Sequence, residues 1–135
     1  MINFSEIMTM LDWNMPLEVQ LKGIDLANKT EAIVPFLQPT GFQNCKNVWE
    51  NCAVVLSAKS DEQLKPYLTK LLEWLKDMNW PGAYKIYERL TVMSEEIFLP
   101  AHQCCLLIAK QTQDHPWEMA LNDLLRDYNE NNTGK

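Results

Sequence analysis

Residues 68–90 limit the fold more than any other stretch, because they predict a helix, a sharp corner and a second helix running back. Before the corner, leucines recur at spacings of three and four, which is typical of a helix with one buried face. The corner itself is Asn-Trp-Pro-Gly at 79–82, a run of turn-forming residues. After it the apolar spacing resumes at Ala83, Ile86, Tyr87 and Leu90. This stretch therefore predicts a helical hairpin.

The corner has a counterpart earlier in the chain. Asp12-x-Asn14-x-Pro16 and Asp77-x-Asn79-x-Pro81 share one pattern and lie 65 residues apart. Half that distance suggests a repeat of about 32 residues, the length of a two-helix unit. Ser or Thr followed by an acid, a helix-start signal, opens a segment near 30, 60 and 94. The sequence thus predicts four helix pairs, at 4–28, 30–58, 60–92 and 94–129.

No stretch alternates between apolar and polar residues, so we predict an all-α fold without strands. Repeated helical hairpins favour a HEAT-like or armadillo-like stack of about four hairpins. A closed helical bundle is the alternative packing. We assign residues 1–129 to a single helical-repeat domain. Residues 130–135 carry nothing to bury, and we predict that they form a disordered tail.

Composition limits the cellular compartment and the classes of partner that we expect for this chain. No apolar run approaches the roughly 18 residues of a membrane span, and the first residues do not form a secretory signal, so we expect a cytoplasmic protein that binds no membrane. Reducing conditions there would keep the four cysteines as free thiols. The net charge of −6, with only 12 Lys and Arg, argues against nucleic acid and favours a basic protein as partner.

The sequence offers no convincing catalytic or metal-binding set. His102 and Cys105 lie three residues apart, but two ligands do not make a zinc site, and Cys45 and His115 lack a motif spacing. Nothing supplies an orienting acid or an oxyanion hole for a cysteine nucleophile. We therefore predict no catalytic residue, metal or cofactor, and expect His102 in the core.

The two corners allow two interpretations. Asp12, Trp13, Asp77 and Trp80 could line a ligand pocket in which carboxylates and indoles recognise a base or a cation. Alternatively, the aspartates bond the N–H groups of their own corners. The repetition favours this structural role, with Pro81 in the first turn of the next helix and Trp80 packed over the junction between units.

A set of glutamates is the candidate partner-binding surface. Each falls near a corresponding place on the second helix of its unit, so together they could form an acidic stripe on the concave face of a stack. The members of this stripe are Glu18, Glu50, Glu88 and Glu118.

The run from Leu72 to Ala83, with Ile86 and Leu90 after it and Trp49-Glu50-Asn51-Cys52-Ala53 before it, resembles an uncharacterised family of small all-helical bacterial proteins. The likeness covers most of residues 10–95. It implies a HEAT-like domain of the kind found beside polymorphic toxin loci as candidate immunity proteins, and it brings no established catalytic residues. We therefore expect a non-catalytic protein–protein interaction module that neutralises a toxin. The alternative is a small-ligand binder or enzyme with a pocket near the Asp-x-Asn-x-Pro corners.

Overall fold

The protein is described by a computed structural model that covers residues 3–39 and 45–133. No strand occurs in these two ranges, so the prediction of an all-α fold is confirmed. The α-helices are α1 Phe4–Met10, α2 Leu17–Asn28, α3 Trp49–Ser57, α4 Asp61–Leu64, α5 Leu68–Glu73, α6 Ala83–Thr91, α7 Glu95–Gln111 and α8 His115–Asn132. Short 3₁₀ turns lie at Val34–Phe36, Lys46–Val48, Lys65–Tyr67 and Trp74–Lys76.

The second helices of the predicted pairs form a row in which α2 packs on α3, α3 on α6 and α6 on α8. The first element of each pair packs against this row. Helix α1 contacts α2, the turn Val34–Phe36 contacts α3, and the turn Trp74–Lys76 contacts α6. Helix α7 packs on α8 and on α5. The chain is thus built from successive pairs, each laid against the previous one.

Neighbouring helices of the row run in the same direction. Glu50, at the start of α3, bonds Gly82 at the start of α6, and Ser57, at the end of α3, bonds Arg89 near the end of α6. The other neighbours are matched in the same order, as the pairs Gln20–Asn51, Ala27–Lys59, Tyr87–Asp127 and Thr91–Asn131 show. Parallel neighbours are the arrangement of stacked hairpins, whereas an up-and-down bundle alternates direction.

The first elements are less regular than predicted. The first helix expected after Thr30 is only the turn Val34–Phe36, with Pro35 inside it, and residues 40–44 lie outside the described ranges. The long helix expected from Ser60 is broken into α4, a 3₁₀ turn, α5 and a second 3₁₀ turn. Pro66 lies in the first break, and proline has no N–H with which to continue the helical ladder.

The last helix is longer than predicted. Helix α8 continues to Asn132, and the side chains of Asn131 and Asn132 both donate to the carbonyl oxygen of Thr91, at 3.1 and 3.3 Å. These bonds hold the end of α8 against α6. The tail that we predicted from Glu130 therefore starts inside α8, and residues 134–135 lie outside the described part of the chain.

The side chains of Lys59 and Arg89 lie inward, which the sequence pattern did not predict. Lys59 is 5% exposed, and its ammonium donates to the carbonyl oxygens of Ala27 and Thr30 at the end of α2. A cation is favourable there because the last carbonyls of a helix carry partial negative charge. Arg89, which the helical pattern placed outward, donates to carbonyl oxygens at the end of α3 and to Asp61. These residues join successive pairs.

The core confirms the expectation for His102. That residue is buried, and its Nε2 atom lies 2.7 Å from the carbonyl oxygen of Leu121, so its ring joins α7 to α8. Among the residues that the structure covers, no helix is long and apolar enough to cross a membrane. The four cysteines are free, with Cys52 and Cys105 buried.

Candidate functional site

Both Asp-x-Asn-x-Pro corners are built by the same local hydrogen bond. Asp12 Oδ1 accepts from the N–H of Asn14 at 2.8 Å, and Asp77 Oδ1 accepts from the N–H of Asn79 at 2.9 Å. This is an Asx turn, in which a side-chain oxygen replaces a backbone acceptor and fixes the chain reversal. One carboxylate oxygen of each aspartate is therefore already hydrogen-bonded within its own corner.

Two side chains at the start of α3 form hydrogen bonds to the two corners. Glu50 Oε1 accepts a hydrogen bond from the N–H of Gly82 at 2.8 Å, in the second corner. The next residue, Asn51, donates to the carbonyl oxygen of Leu11 at 2.7 Å, beside the first corner. Two consecutive side chains thus tie α3 to the pairs before and after it.

The chain reversal at the second corner depends on Gly82, which has a φ of 86°. That left-handed conformation favours glycine. It places Pro81 before α6, which begins at Ala83, so our expectation of Pro81 in the first helical turn is wrong. The carbonyl oxygen of Pro81 accepts from the indole N–H of the fully buried Trp74 at 2.9 Å.

The four candidate pocket residues do not meet in one pocket. Trp13 is 46% exposed at the first corner, where its backbone N–H donates to the carbonyl oxygen of Asn47. Trp80 is half-buried and packs edge-on against Trp49, with ring centroids 5.9 Å apart, so it does lie over the junction between units. Of the four, only Asp77 lines a described cavity; Asp12 is used in its own turn.

The four candidate glutamates do not occupy equivalent places. Glu50 accepts a hydrogen bond from the N–H of Gly82, and Glu18 is exposed on α2 without such a bond among the described residues. Glu88 lies further along α6, where it lines a cavity of about 210 Å³ with Ser57, Lys85 and Arg89. Glu118 lies 3.9 Å from the ring of His115. Since Glu50 faces Gly82 rather than Glu88, these residues do not follow one level of the row.

A larger surface cavity, which we call the Met groove, lies between residues 75–79 and the start of α8. Its volume is about 520 Å³, and it is open to solvent. Most of its surface is apolar and comes from Met78, Met119 and neighbouring side chains, with Asp77 and Asp123 among its polar residues. Met119 is 67% exposed, although α8 packs most of its other large apolar residues inward.

Acidic side chains outnumber basic side chains around the Met groove. Lys76 lies 4.6 Å from the centroid of the Trp117 ring and 4.0 Å from Glu73, so its ammonium already has two partners. Arg126 lies 3.3 Å from Asp123 and 3.5 Å from Asp127. No hydrogen-bond partner within the described residues faces Asp77 Oδ2. The groove therefore combines a mostly apolar lining with the acidic side chains of Asp77 and Asp123.

The chemistry available at these sites is limited. The residues lining the Met groove include no serine, cysteine or histidine. Burial raises the pKa of the Cys52 thiol to about 12 and that of the Cys105 thiol to about 11, which keeps both protonated at neutral pH. Within residues 3–39 and 45–133, no group of three or more His, Cys, Asp or Glu could hold a metal ion.

A second cavity of about 510 Å³ lies between α1 and α2, lined in part by Glu6, Met10 and Lys22. Of the residues predicted to line a pocket at the corners, Asp77 lines the Met groove, but the contribution of α8 to that groove and the cavity between α1 and α2 were not predicted, because each forms where segments distant in the chain or separated by a corner meet. One signal was available for the Met groove. Met119 interrupts the polar face of a helix whose apolar residues otherwise follow one stripe.

Comparison with known proteins gives one family match. Residues 49–133 match a family model described as Domain of unknown function (DUF5071). The matched region includes the run from Leu72 to Ala83 and both sides of the Met groove. It starts later and ends later than the resemblance expected over residues 10–95. No curated protein and no solved structure matches the chain.

Proposed function

The chain belongs to the family described as Domain of unknown function (DUF5071), and we propose that this member is a non-catalytic protein–protein interaction module. The observation that carries the proposal is the Met groove. It is an open, mostly apolar cavity on a stack of helices, and its lining includes no serine, cysteine or histidine. Protein interfaces are commonly anchored by one side chain that fills such a pocket.

The composition of the groove suits a protein partner. Methionine side chains are unbranched and adaptable, so Met78 and Met119 can adjust to the shape of an inserted side chain. Met119 is already exposed and would be covered by a partner rather than by this chain. The elements on either side are held by buried bonds, such as that from the Trp117 indole N–H to the carbonyl oxygen of Leu72 at 2.9 Å.

We further propose that the partner is a toxin that this protein neutralises. The resemblance to candidate immunity proteins supports this function, and the net charge of −6 suits a basic partner. The acidic residues at the Met groove lie on the surface where such a partner would be anchored. In this proposal the candidate glutamates Glu18, Glu88 and Glu118 contribute general attraction rather than a specific contact.

Co-expression tests this function directly. Products of neighbouring genes are expressed with and without this chain, and growth and co-purification are measured. We expect one toxic product to be tolerated only with this chain. Met119→Lys should abolish protection, because it places a charge in the groove. Leu107→Lys is the matched control, since Leu107 is 56% exposed on α7, outside the groove lining, and that variant should still protect. If no neighbouring product binds, the immunity function is wrong.

A small-ligand binder with its pocket at the second corner is the second candidate. The Met groove favours it, because 520 Å³ lies within the range of about 300–1,000 Å³ typical of small-molecule sites. A ligand at this site would raise the melting temperature of the parent protein. The same ligand should give no shift with Met119→Trp, which fills the groove. A metabolite panel without any stabilising compound would count against this candidate.

A further inference from the structure

We propose that the Met groove receives a lysine or arginine side chain from the partner. This inference rests on the proposed function and names the anchor that the partner presents. It depends on two properties that the groove combines, an apolar lining and an excess of negative charge. A long basic side chain has the same two properties in complementary form, an apolar stem and a cationic head.

The apolar lining fits the stem. Met78 is partly buried against the core, whereas Met119 stands on α8 with most of its surface in water. A chain of methylene groups lying between them would cover exposed apolar surface on both sides. The cavity volume of about 520 Å³ exceeds what one side chain fills, so the neighbouring backbone of the partner can enter as well.

The acidic side chains of the groove fit the head. Asp77 and Asp123 line the groove, and Glu73 and Asp127 pair with the same bases. These bases are Lys76, over the Trp117 ring, and Arg126, which is shared between Asp123 and Asp127, and Lys70 also lies 3.7 Å from Glu73. Four acids against three bases leave an excess of one negative charge, and no hydrogen-bond partner within the described residues faces Asp77 Oδ2. A neutral or acidic anchor would leave this excess uncompensated.

Small amides that carry only the anchor test the inference. Nα-acetyl-lysine amide is titrated into the full chain while the methyl signals of the methionines are followed by NMR. Nα-acetyl-norleucine amide, which ends in a methyl group instead of an aminomethyl group, is the matched probe. We expect the lysine amide to shift the signals of Met78 and Met119, with an affinity at least about fivefold higher than that of the norleucine amide. Added salt should weaken the difference.

Two substitutions locate the effect. Asp77→Asn removes the charge, and its amide oxygen can still accept from the N–H of Asn79, so the corner is preserved. Asp123→Asn removes the second charge on the exposed side of α8. Each should lower the affinity for the lysine amide several-fold. Asp25→Asn, which removes a charge from an exposed aspartate of α2 outside the groove lining, should leave it unchanged.

The outcomes separate this inference from the proposed function. Equal binding of the two amides would show that the anchor is apolar and would overturn the inference. Absence of methyl shifts at Met78 and Met119 would also overturn it. Neither result bears on whether co-expression protects against a toxic neighbour, because that assay reports binding through any surface. Protection that survives Asp77→Asn combined with Asp123→Asn would likewise reject the basic anchor while supporting the interaction module.

Discussion

Glu50 and Gly82 are joined by a hydrogen bond of 2.8 Å from the glycine N–H to the glutamate Oε1, and this bond connects the second and third helical pairs. It satisfies a backbone donor at the start of α6, where helices have N–H groups without intrahelical partners. Glu50 was a candidate for partner binding, and the structure gives it a task within the fold instead. A surface glutamate in the sequence is here a structural connection between repeats.

Glu50→Ala should lower the free energy of unfolding by about 1–3 kcal/mol, because a charge-assisted hydrogen bond is lost and the Gly82 N–H is left without its acceptor. Glu50→Gln should cost less, since the amide oxygen can still accept. Urea denaturation of the three proteins measures the differences.

Glu18→Ala is the control for this experiment. Glu18 and Glu50 both lie in the first turn of a helix, so each substitution removes the same favourable interaction with the helix dipole. Both side chains are exposed, but Glu18 makes no bond to another helix within the described residues, and we expect a change of only about 0.5 kcal/mol. Equal effects of the two alanine substitutions would show that the bond to Gly82 adds nothing to stability.

Gly82→Ala should be among the most destabilising single substitutions in the corner. At a φ of 86° alanine is strained, and its Cβ would lie 2.8 Å from the Cβ of Ala53 and 2.9 Å from the carbonyl oxygen of Trp49. We expect a loss of about 2–4 kcal/mol in thermal or urea unfolding. Pro81→Ala, one residue earlier, should change stability by about 1 kcal/mol or less. A small effect of Gly82→Ala would mean that the corner relaxes at little cost.

The sequence was sufficient for the helical class and for the order of the pairs, because leucine spacing and repeated corners are local patterns. It was insufficient for the first helices of the second and third pairs. There Pro35 and Pro66 interrupt segments that remain apolar enough to suggest helix. It also predicted Pro81 inside the second helix of the third pair, whereas α6 begins two residues later at Ala83, since the need for a left-handed Gly82 arises from the close approach of α3.

The candidate site was harder to predict, for a physical reason. Glu50, Lys59 and Arg89 each bond a partner about 30 residues away, and nothing in their neighbouring sequence distinguishes them from solvated charges. The Met groove likewise forms only when the second corner meets α8. Periodicity predicts which face of a helix is buried, but it does not predict which polar residue of one pair reaches the next.

Trp74 rather than Trp80 should dominate the stability of the second corner. Trp74 is fully buried and donates to the Pro81 carbonyl oxygen, whereas Trp80 keeps part of its ring in water against Trp49. We expect Trp74→Ala to cost about 3–5 kcal/mol and Trp80→Ala about half as much. Trp13→Ala, at the exposed first corner, is the control and should cost less than either. Urea unfolding that ranked Trp80 above Trp74 would contradict the packing described for this corner.

The ion pair between Asp61 and Arg89 should make stability depend on pH in the acidic range. Burial alone would raise the pKa of Asp61, but hydrogen bonds from the Arg89 side chain and the Ser94 N–H, with the charge of Arg89, outweigh it and lower the pKa. A lowered pKa in the folded state means that the unfolded chain binds more protons. The stabilisation is therefore complete above the unfolded pKa of about 4 and is lost as the pH falls through the folded value.

Asp61→Asn removes this titration. The parent protein should melt at a higher temperature than Asp61→Asn at pH 7, and the difference should shrink steadily between about pH 5 and pH 2. Asp25→Asn is the control, because Asp25 pairs with Lys29 on the surface, where both side chains are more than 60% exposed. Its difference from the parent should stay small throughout, since exposed pairs contribute little. A difference between parent and Asp61→Asn that is constant with pH would show that the carboxylate charge does not stabilise the junction of α3, α4 and α6.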